Sequence, residues 1–142
     1  MVLLKDFRDF LIVKENKESI SVHFFLRTFK CIEINEYELS IQASILHHCT
    51  PKENLSNYYK YQSMEVAIFK NKSWCNITED SFFSNWSRYT EFCNYYDGMV
   101  GSNIAIDLIQ SLFEYIILNV KNPPSKFFDT NICNLDEVWR SL

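Results

Sequence analysis

The spacing of apolar residues changes along the chain, and each spacing predicts one kind of element. Near the N-terminus five apolar residues recur at helical spacing, namely Leu3, Leu4, Phe7, Phe10 and Leu11. This spacing predicts an amphipathic helix of about three turns. Apolar and polar residues instead alternate over Ser19–Phe29, Glu38–Leu46 and Met64–Phe69, which predicts strands with one buried face, and Ser73–Ile77 predicts a shorter strand.

The C-terminal half combines an irregular segment with the clearest helical pattern in the chain. Ser81–Tyr96 is rich in aromatic residues without a clear period, which predicts short helical turns and loops. An Asp-Gly turn follows, and Met99–Val100 predicts a short edge strand. Either Ser102 or Asn103 is expected to cap a helix that runs to about Asn119.

The order of these elements predicts one α+β domain over residues 1–142. The polar stretch Glu33–Tyr37 predicts a turn, and Asn134 predicts the cap of a final short helical turn. Sequential strands with short connections favour an antiparallel meander of about four to five strands. The N-terminal helix and the C-terminal helix are expected to pack on this sheet.

Composition places the chain among globular proteins of the cytoplasm. Hydrophobic residues make up 47% of the chain and charged residues 23%. No apolar run approaches the roughly 20 residues needed to span a membrane, and charges interrupt the first 13 residues, unlike a secretory signal. The five cysteines are scattered without a CxxC pair, so we expect free thiols in a reducing compartment.

Charge is distributed unevenly between the two halves. Residues 1–72 carry a net charge of +1 and residues 73–142 a net charge of −5, consistent with the total of −4. No cluster of lysine and arginine suggests a nucleic-acid partner, and no membrane partner is expected. An acidic half favours a basic partner, although a net charge of this size is also normal for a solvated surface.

One loop contains residue types that metal or nucleophile chemistry uses, namely His47, His48, Cys49 and Lys52. Zinc would need about four ligands, and no spaced pair supplies them, so no metal or cofactor is predicted. A Cys–His nucleophile would need a lowered thiol pKa and an oriented base. The simpler interpretation is a proline-fixed loop at a strand end, and a small ligand bound there is a further hypothesis.

The aromatic segment is the better candidate for function, because it interleaves aromatic residues with carboxylates. Aromatic side chains supply contact area and carboxylates steer a basic partner. The alternative is that the same aromatic residues cover the sheet as core. The predicted partner-binding residues are Glu79, Asp80, Trp86, Tyr89, Glu91, Tyr95, Tyr96 and Asp97.

A run within Ser40–Phe69 resembles small uncharacterised bacterial and phage proteins. It combines His48, Cys49, Pro51 and Lys52 with a later Glu-Val-Ala-Ile-Phe strand. This resemblance implies no activity. In size, acidity and lack of a catalytic set, the chain is also similar to immunity proteins of bacterial toxin systems such as contact-dependent growth inhibition.

These observations lead to three hypotheses about function. The first is a non-catalytic immunity protein that binds a cognate toxin domain, a basic nuclease, and occludes its active site. The second is a phage or bacterial defence-related protein that binds a small ligand near His47–Asn54. The third is an enzyme that uses Cys49 with a neighbouring histidine.

Overall fold

The computed structural model describes residues 3–14 and 27–129, which contain a five-stranded antiparallel sheet and helices. The strands are β1 (Ile32–Ile34), β2 (Tyr37–Gln42), β3 (Ser63–Lys70), β4 (Ser73–Trp74) and β5 (Val100–Ala105). The helices are α1 (Tyr89–Cys93) and α2 (Ile106–Asn119). Single 3-10 turns occur at Phe7–Phe10, Tyr58–Lys60, Ser81–Phe83 and Ser125–Phe127. The predicted α+β class is confirmed.

β3 is the central strand of the sheet. The first four strands follow one another in the order β1-β2-β3-β4, as a meander requires. β2 lies along one edge of β3, from Gln42 opposite Glu65 to Tyr37 opposite Lys70. β4 and β5 share the other edge, because β4 pairs only with the last two residues of β3 and β5 pairs with Ser63–Ala67. The fifth strand therefore returns to pair with the central strand β3.

The alternating pattern of β2 and the apolar face of α2 build the core. Tyr37, Leu39 and Ile41 are buried while the residues between them are half-buried, as a strand with one core face requires. α2 contacts β3 and β5 and buries six apolar residues, namely Leu108, Ile109, Leu112, Phe113, Ile116 and Ile117. Their spacing places them on one face of the helix.

The predicted N-terminal helix is wrong, and a 3-10 turn at Phe7–Phe10 takes its place. On either side of this turn the backbone is extended and pairs with distant segments. Leu4 forms an antiparallel bridge with Phe128, and Val13 forms one with Phe29. These long-range pairs use backbone groups that a three-turn helix would bond internally.

The start of α2 also differs from the prediction. Ser102 and Asn103 lie within β5, and the residue before the helix is Ala105, whose side chain makes no capping hydrogen bond. The register of β5 against β3 shifts between Met64 and Val66, and Asn103 has a φ of 51°. The polar pair therefore forms a β-bulge, which asparagine accommodates because it tolerates left-handed backbone.

Other strand predictions hold only in part. The predicted turn Glu33–Tyr37 contains the two-residue turn of a hairpin and the adjoining strand ends, because Ile32–Ile34 and Tyr37–Gln42 are strands joined by two residues. The strand predicted over Ser19–Phe29 falls largely outside the described residues, as does the cap at Asn134. Among the helices that the structure describes, none has the length and apolar content to cross a membrane.

Candidate functional site

Two of the predicted partner-binding aromatic residues belong to the core. Trp86 and Tyr96 are only 5% and 6% exposed. The Trp86 Nε1 donates a hydrogen bond to the Ser111 hydroxyl at 3.0 Å. The Tyr96 hydroxyl accepts from the Ile68 N–H at 3.1 Å and donates to the Cys75 carbonyl at 3.3 Å. Both side chains therefore stabilise the fold and are not accessible to a partner in this conformation.

Asp80, another predicted contact residue, is a structural junction. Its carboxylate accepts hydrogen bonds from the Tyr37 hydroxyl at 2.7 Å and from the Phe82 N–H at 3.0 Å, and it pairs with Lys70 at 3.3 Å. Burial disfavours the charged carboxylate, but these three donors outweigh burial and hold the pKa of Asp80 below its ordinary value. Asp80 therefore ties the 3-10 turn at Ser81–Phe83 to the sheet.

The charge of Glu91 is neutralised within the chain. Both of its carboxylate oxygens accept hydrogen bonds from the Arg88 guanidinium at 2.8 Å. Arg88 also pairs with Asp107 at 3.0 Å. The neighbouring Tyr89 is half-buried and packs against the core. This part of the predicted set contributes less free negative charge than the sequence suggests.

Besides the exposed but ion-paired Glu91, three of the predicted residues remain exposed, and two exposed apolar residues join them. Glu79, Tyr95 and Asp97 are exposed, with Tyr95 at 53%. Trp74 and Met99, which were not among the predicted contact residues, are 51% and 49% exposed. We call these five residues the acidic-aromatic surface. The sequence placed Trp74 in the predicted strand Ser73–Ile77, and nothing in that pattern indicated that its side chain is exposed.

The two segments that carry this surface lie side by side. The hydrogen bond between Tyr96 and the Cys75 carbonyl joins them. A Cβ placed on Gly98 would lie 3.7 Å from the Asn76 side-chain nitrogen, so the turn at Gly98 packs against Asn76. Asp97 fixes this turn, because its Oδ1 accepts hydrogen bonds from two backbone N–H groups at 3.1 and 2.9 Å. The exposed side chains are therefore presented by a fixed backbone.

Trp74 and Glu79 line a shallow depression of about 340 Å³, together with Lys70 and Asp80. The Trp74 indole packs against Phe69, with 4.6 Å between the ring centroids, and about half of the side chain stays exposed. Glu79 forms no ion pair with any residue that the structure describes. An exposed indole beside an unpaired carboxylate suits a cationic side chain, through cation–π attraction and a charge-assisted hydrogen bond.

The sequence around this surface is strongly acidic. Residues 73–120 contain six acidic residues and a single basic residue, Arg88, a net charge of −5. Arg88 is already paired with two of those carboxylates. Glu79 and Asp97 form no ion pair with a described residue. They lie in a segment with no free cation among its described residues, so its field attracts a basic partner.

The loop of His47 and Cys49 is bonded internally. The Cys49 thiol is buried and donates to the carbonyls of Ser44 and Pro51 at 3.2 and 3.4 Å. Burial raises the pKa of Cys49, which disfavours the nucleophilic thiolate. Burial also lowers the pKa of His47, whose Nδ1 lies 2.6 Å from the Ser44 hydroxyl. No described hydrogen bond joins this thiol to a histidine.

The other two residues of the predicted ligand loop are exposed. His48 uses its backbone for the fold, since its N–H donates to Glu65 at 2.9 Å and its carbonyl accepts from the Asn103 N–H at 3.0 Å. Lys52 is exposed beside Pro51, whose peptide bond with Thr50 is cis. Within the described residues, no group of three or more histidine, cysteine or acidic side chains is placed to hold a metal ion.

Arg27 organises this loop, and the sequence pattern did not indicate it. Alternation placed Arg27 on the polar face of a strand, yet the side chain is 8% exposed. Its guanidinium donates to the Leu55 carbonyl, to the Ala43 carbonyl at 2.6 Å and to the Tyr61 hydroxyl at 2.5 Å. It also lies over the Tyr58 ring at 5.5 Å. Arg27 therefore fixes the loop from several sides.

Comparison of the chain with protein-family models, curated proteins and solved structures finds no significant match. No family is assigned on that basis. The exposed surfaces and their chemistry carry the functional conclusion instead.

Proposed function

We propose that this chain is a non-catalytic immunity protein of the bacterial cytoplasm that binds and neutralises a basic toxin domain. The acidic-aromatic surface is the proposed contact. The observation that carries the proposal is that exposed aromatic residues, Trp74 and Tyr95, occur on the same two segments as the exposed carboxylates Glu79 and Asp97. Neither carboxylate forms an ion pair with a described residue. Aromatic anchors and complementary charge are what protein partners use for affinity and for fast association.

The proposed surface is suited to tight binding because its backbone is already fixed. Asp97 closes the turn beneath Met99, and Tyr96 anchors the same segment to the sheet. Trp74 packs on Phe69. A partner would therefore order few side chains on binding, which reduces the entropic cost of association.

A nuclease is the toxin class that fits this charge best. Enzymes that bind nucleic acid present lysine and arginine to phosphate groups. A surface of carboxylates in a segment with a net charge of −5 can occupy such a site in place of phosphates. Binding there would occlude the active site without any chemistry on the immunity protein.

The loop at His47–Lys52 offers less support for ligand binding or catalysis. The Cys49 thiol and the His47 ring bond to neighbouring groups of the chain, and burial raises the pKa of the thiol. These contacts support a structural role for the loop. The hydrogen bond from Arg27 to the Ala43 carbonyl supports the same role.

Association kinetics with the partner recovered from the native host test the proposal. Glu79→Lys should slow association by about tenfold at low salt, because it reverses a charge within the proposed contact. Glu53→Lys makes the same charge change on an exposed residue outside the acidic-aromatic surface and should have a small effect. Equal association rates for the two variants would contradict the proposed surface.

Inhibition provides the second readout. Wild-type chain should abolish the activity of the partner at equal concentration, and Trp74→Ala should need a clearly higher concentration, since a buried interface tryptophan contributes roughly 2 kcal/mol or more. A partner that stays active when saturated with the wild-type chain would refute neutralisation while leaving binding intact.

A further inference from the structure

β1 is the outer strand of the sheet in the described part of the chain, and one of its edges lacks a partner strand there. It pairs with β2 through Ile32 opposite Leu39 and Ile34 opposite Tyr37. No other strand that the structure describes pairs with β1. The outward backbone groups of such a strand can accept an additional strand from another chain.

A groove of about 520 Å³ lies along this edge, and we call it the edge groove. Its apolar lining comes from Phe10, Ile12, Phe29 and Ile32. Ile12 is 58% exposed, although its carbonyl is held by the Lys30 N–H at 2.8 Å. Phe29 and Ile32 are buried, so Ile12 provides most of the accessible apolar surface. The segment of Ile12 and Lys14 already pairs with the chain just before β1, so a partner strand would extend the edge at β1 itself.

Lysine side chains surround the edge groove. Lys14, Lys30 and Lys126 line it, against one acidic residue, Glu33. Glu33 itself lies 3.6 Å from the Lys72 ammonium group. None of the three lining lysines forms an ion pair with a residue of the described ranges. The edge groove therefore carries a positive charge that is not neutralised within this part of the chain.

We propose that the edge groove binds an extended segment of an acidic protein partner as an additional strand beside β1. Successive side chains of a strand point to opposite sides. A segment in which apolar residues alternate with carboxylates can therefore place apolar groups in the groove and carboxylates beside the lysines. This site is distinct in position and opposite in charge to the acidic-aromatic surface, so it extends beyond the proposed function.

Binding of a defined probe tests the proposal. The probe is a short, capped, fluorescein-labelled peptide that alternates valine with glutamate, measured by fluorescence polarisation against the full chain. We expect saturable binding that weakens at least about tenfold when the glutamates are replaced by lysines. The same acidic peptide with alternate backbone nitrogens methylated should also lose binding, because it cannot complete the strand hydrogen bonds.

Variants of the chain locate the site. Lys14→Glu combined with Lys30→Glu should weaken binding of the acidic peptide by about tenfold or more. Lys60→Glu carries the same kind of charge change on an exposed 3-10 turn and should leave binding almost unchanged. If the double charge reversal impairs folding, Lys14→Gln with Lys30→Gln gives the same comparison with a smaller perturbation.

Cys31 supplies an independent readout because it is exposed and lines the edge groove. Bound acidic peptide should slow the labelling of Cys31 by maleimide. The extent of labelling is measured by mass spectrometry of the digested protein. Unchanged labelling with bound peptide, or equal binding of the backbone-methylated peptide, would overturn the proposal. Slow amide exchange at Cys31 and Glu33 in the free chain, or a dimer that excludes the peptide, would also overturn it, because the edge would then already be occupied.

Discussion

Replacing Arg27 with methionine should destabilise the fold strongly, because this one side chain connects several separate segments. Methionine keeps an apolar stem of similar length but removes every donor. The bonds lost are those to the carbonyls of Leu55 and Ala43 and to the Tyr61 hydroxyl. The ring of Tyr58 also loses its contact with the guanidinium. The change therefore acts on the loop as a whole.

The expected loss can be worked out from these contacts. A buried acceptor left without a donor costs about 1–3 kcal/mol, and a cation–π contact contributes roughly 0.5–2 kcal/mol. Two terms reduce the total. Tyr61 keeps other partners, since its hydroxyl accepts from the Leu55 N–H at 2.9 Å, and the variant no longer buries an Arg27 charge whose Nε has no hydrogen-bond partner. We expect a net loss of about 2–3 kcal/mol.

Urea and thermal denaturation measure this loss. A domain of this size should melt about 5–10 °C lower for that free-energy change. Lys60→Met is the matched control, because it replaces an exposed cation with the same side chain and should cost no more than about 0.5 kcal/mol. A free energy of unfolding for Arg27→Met within that margin of the control would refute the role assigned to Arg27.

Three further predictions follow from contacts of single residues. Asp80→Asn should lower the free energy of unfolding by about 1–3 kcal/mol at pH 7. Because the fold lowers the pKa of Asp80, the difference between wild type and variant should be full above about pH 4 and should shrink as the pH falls through the folded pKa. A difference that does not depend on pH in urea denaturation would contradict this prediction. Gly101→Ala should cost about 1–3 kcal/mol, because the added Cβ would lie 2.3 Å from the Ile104 side chain; an unchanged melting temperature would contradict the close packing there. Cys49 should react with iodoacetamide far more slowly than the exposed Cys31, since burial raises its pKa and covers its thiol; faster labelling of Cys49 would revive the catalytic hypothesis.

The regular parts of the fold could be predicted because their patterns are long. Alternation over Met64–Phe69 and helical spacing up to Asn119 each repeat several times, and both elements are present. The N-terminal helix failed because Leu4 and Val13 pair with residues far along the chain. A pattern of apolar residues shows which side chains are buried, but it does not show whether the backbone between them bonds locally or to a distant strand.

The candidate site could be predicted only in outline. The sequence identified the aromatic and acidic segment, yet aromatic residues are important in both cores and interfaces, so their abundance does not distinguish the two. Trp86 and Tyr96 proved to be core because their polar atoms find partners at Ser111 and Ile68, which are remote in sequence. Asp80 likewise bonds to Tyr37 across the fold. Such long-range partners decide which side chains remain exposed, and periodicity contains no information about them.

A pull-down from the native host with three tagged chains tests the central claim most directly. The chains are the wild type, Trp74→Ala combined with Glu79→Lys, and the control Glu53→Lys. The account predicts that the wild type and the control recover the same basic protein at near-equal stoichiometry, and that the double variant loses it. Recovery of that protein by all three chains, or of no basic protein by the wild type, would contradict the account.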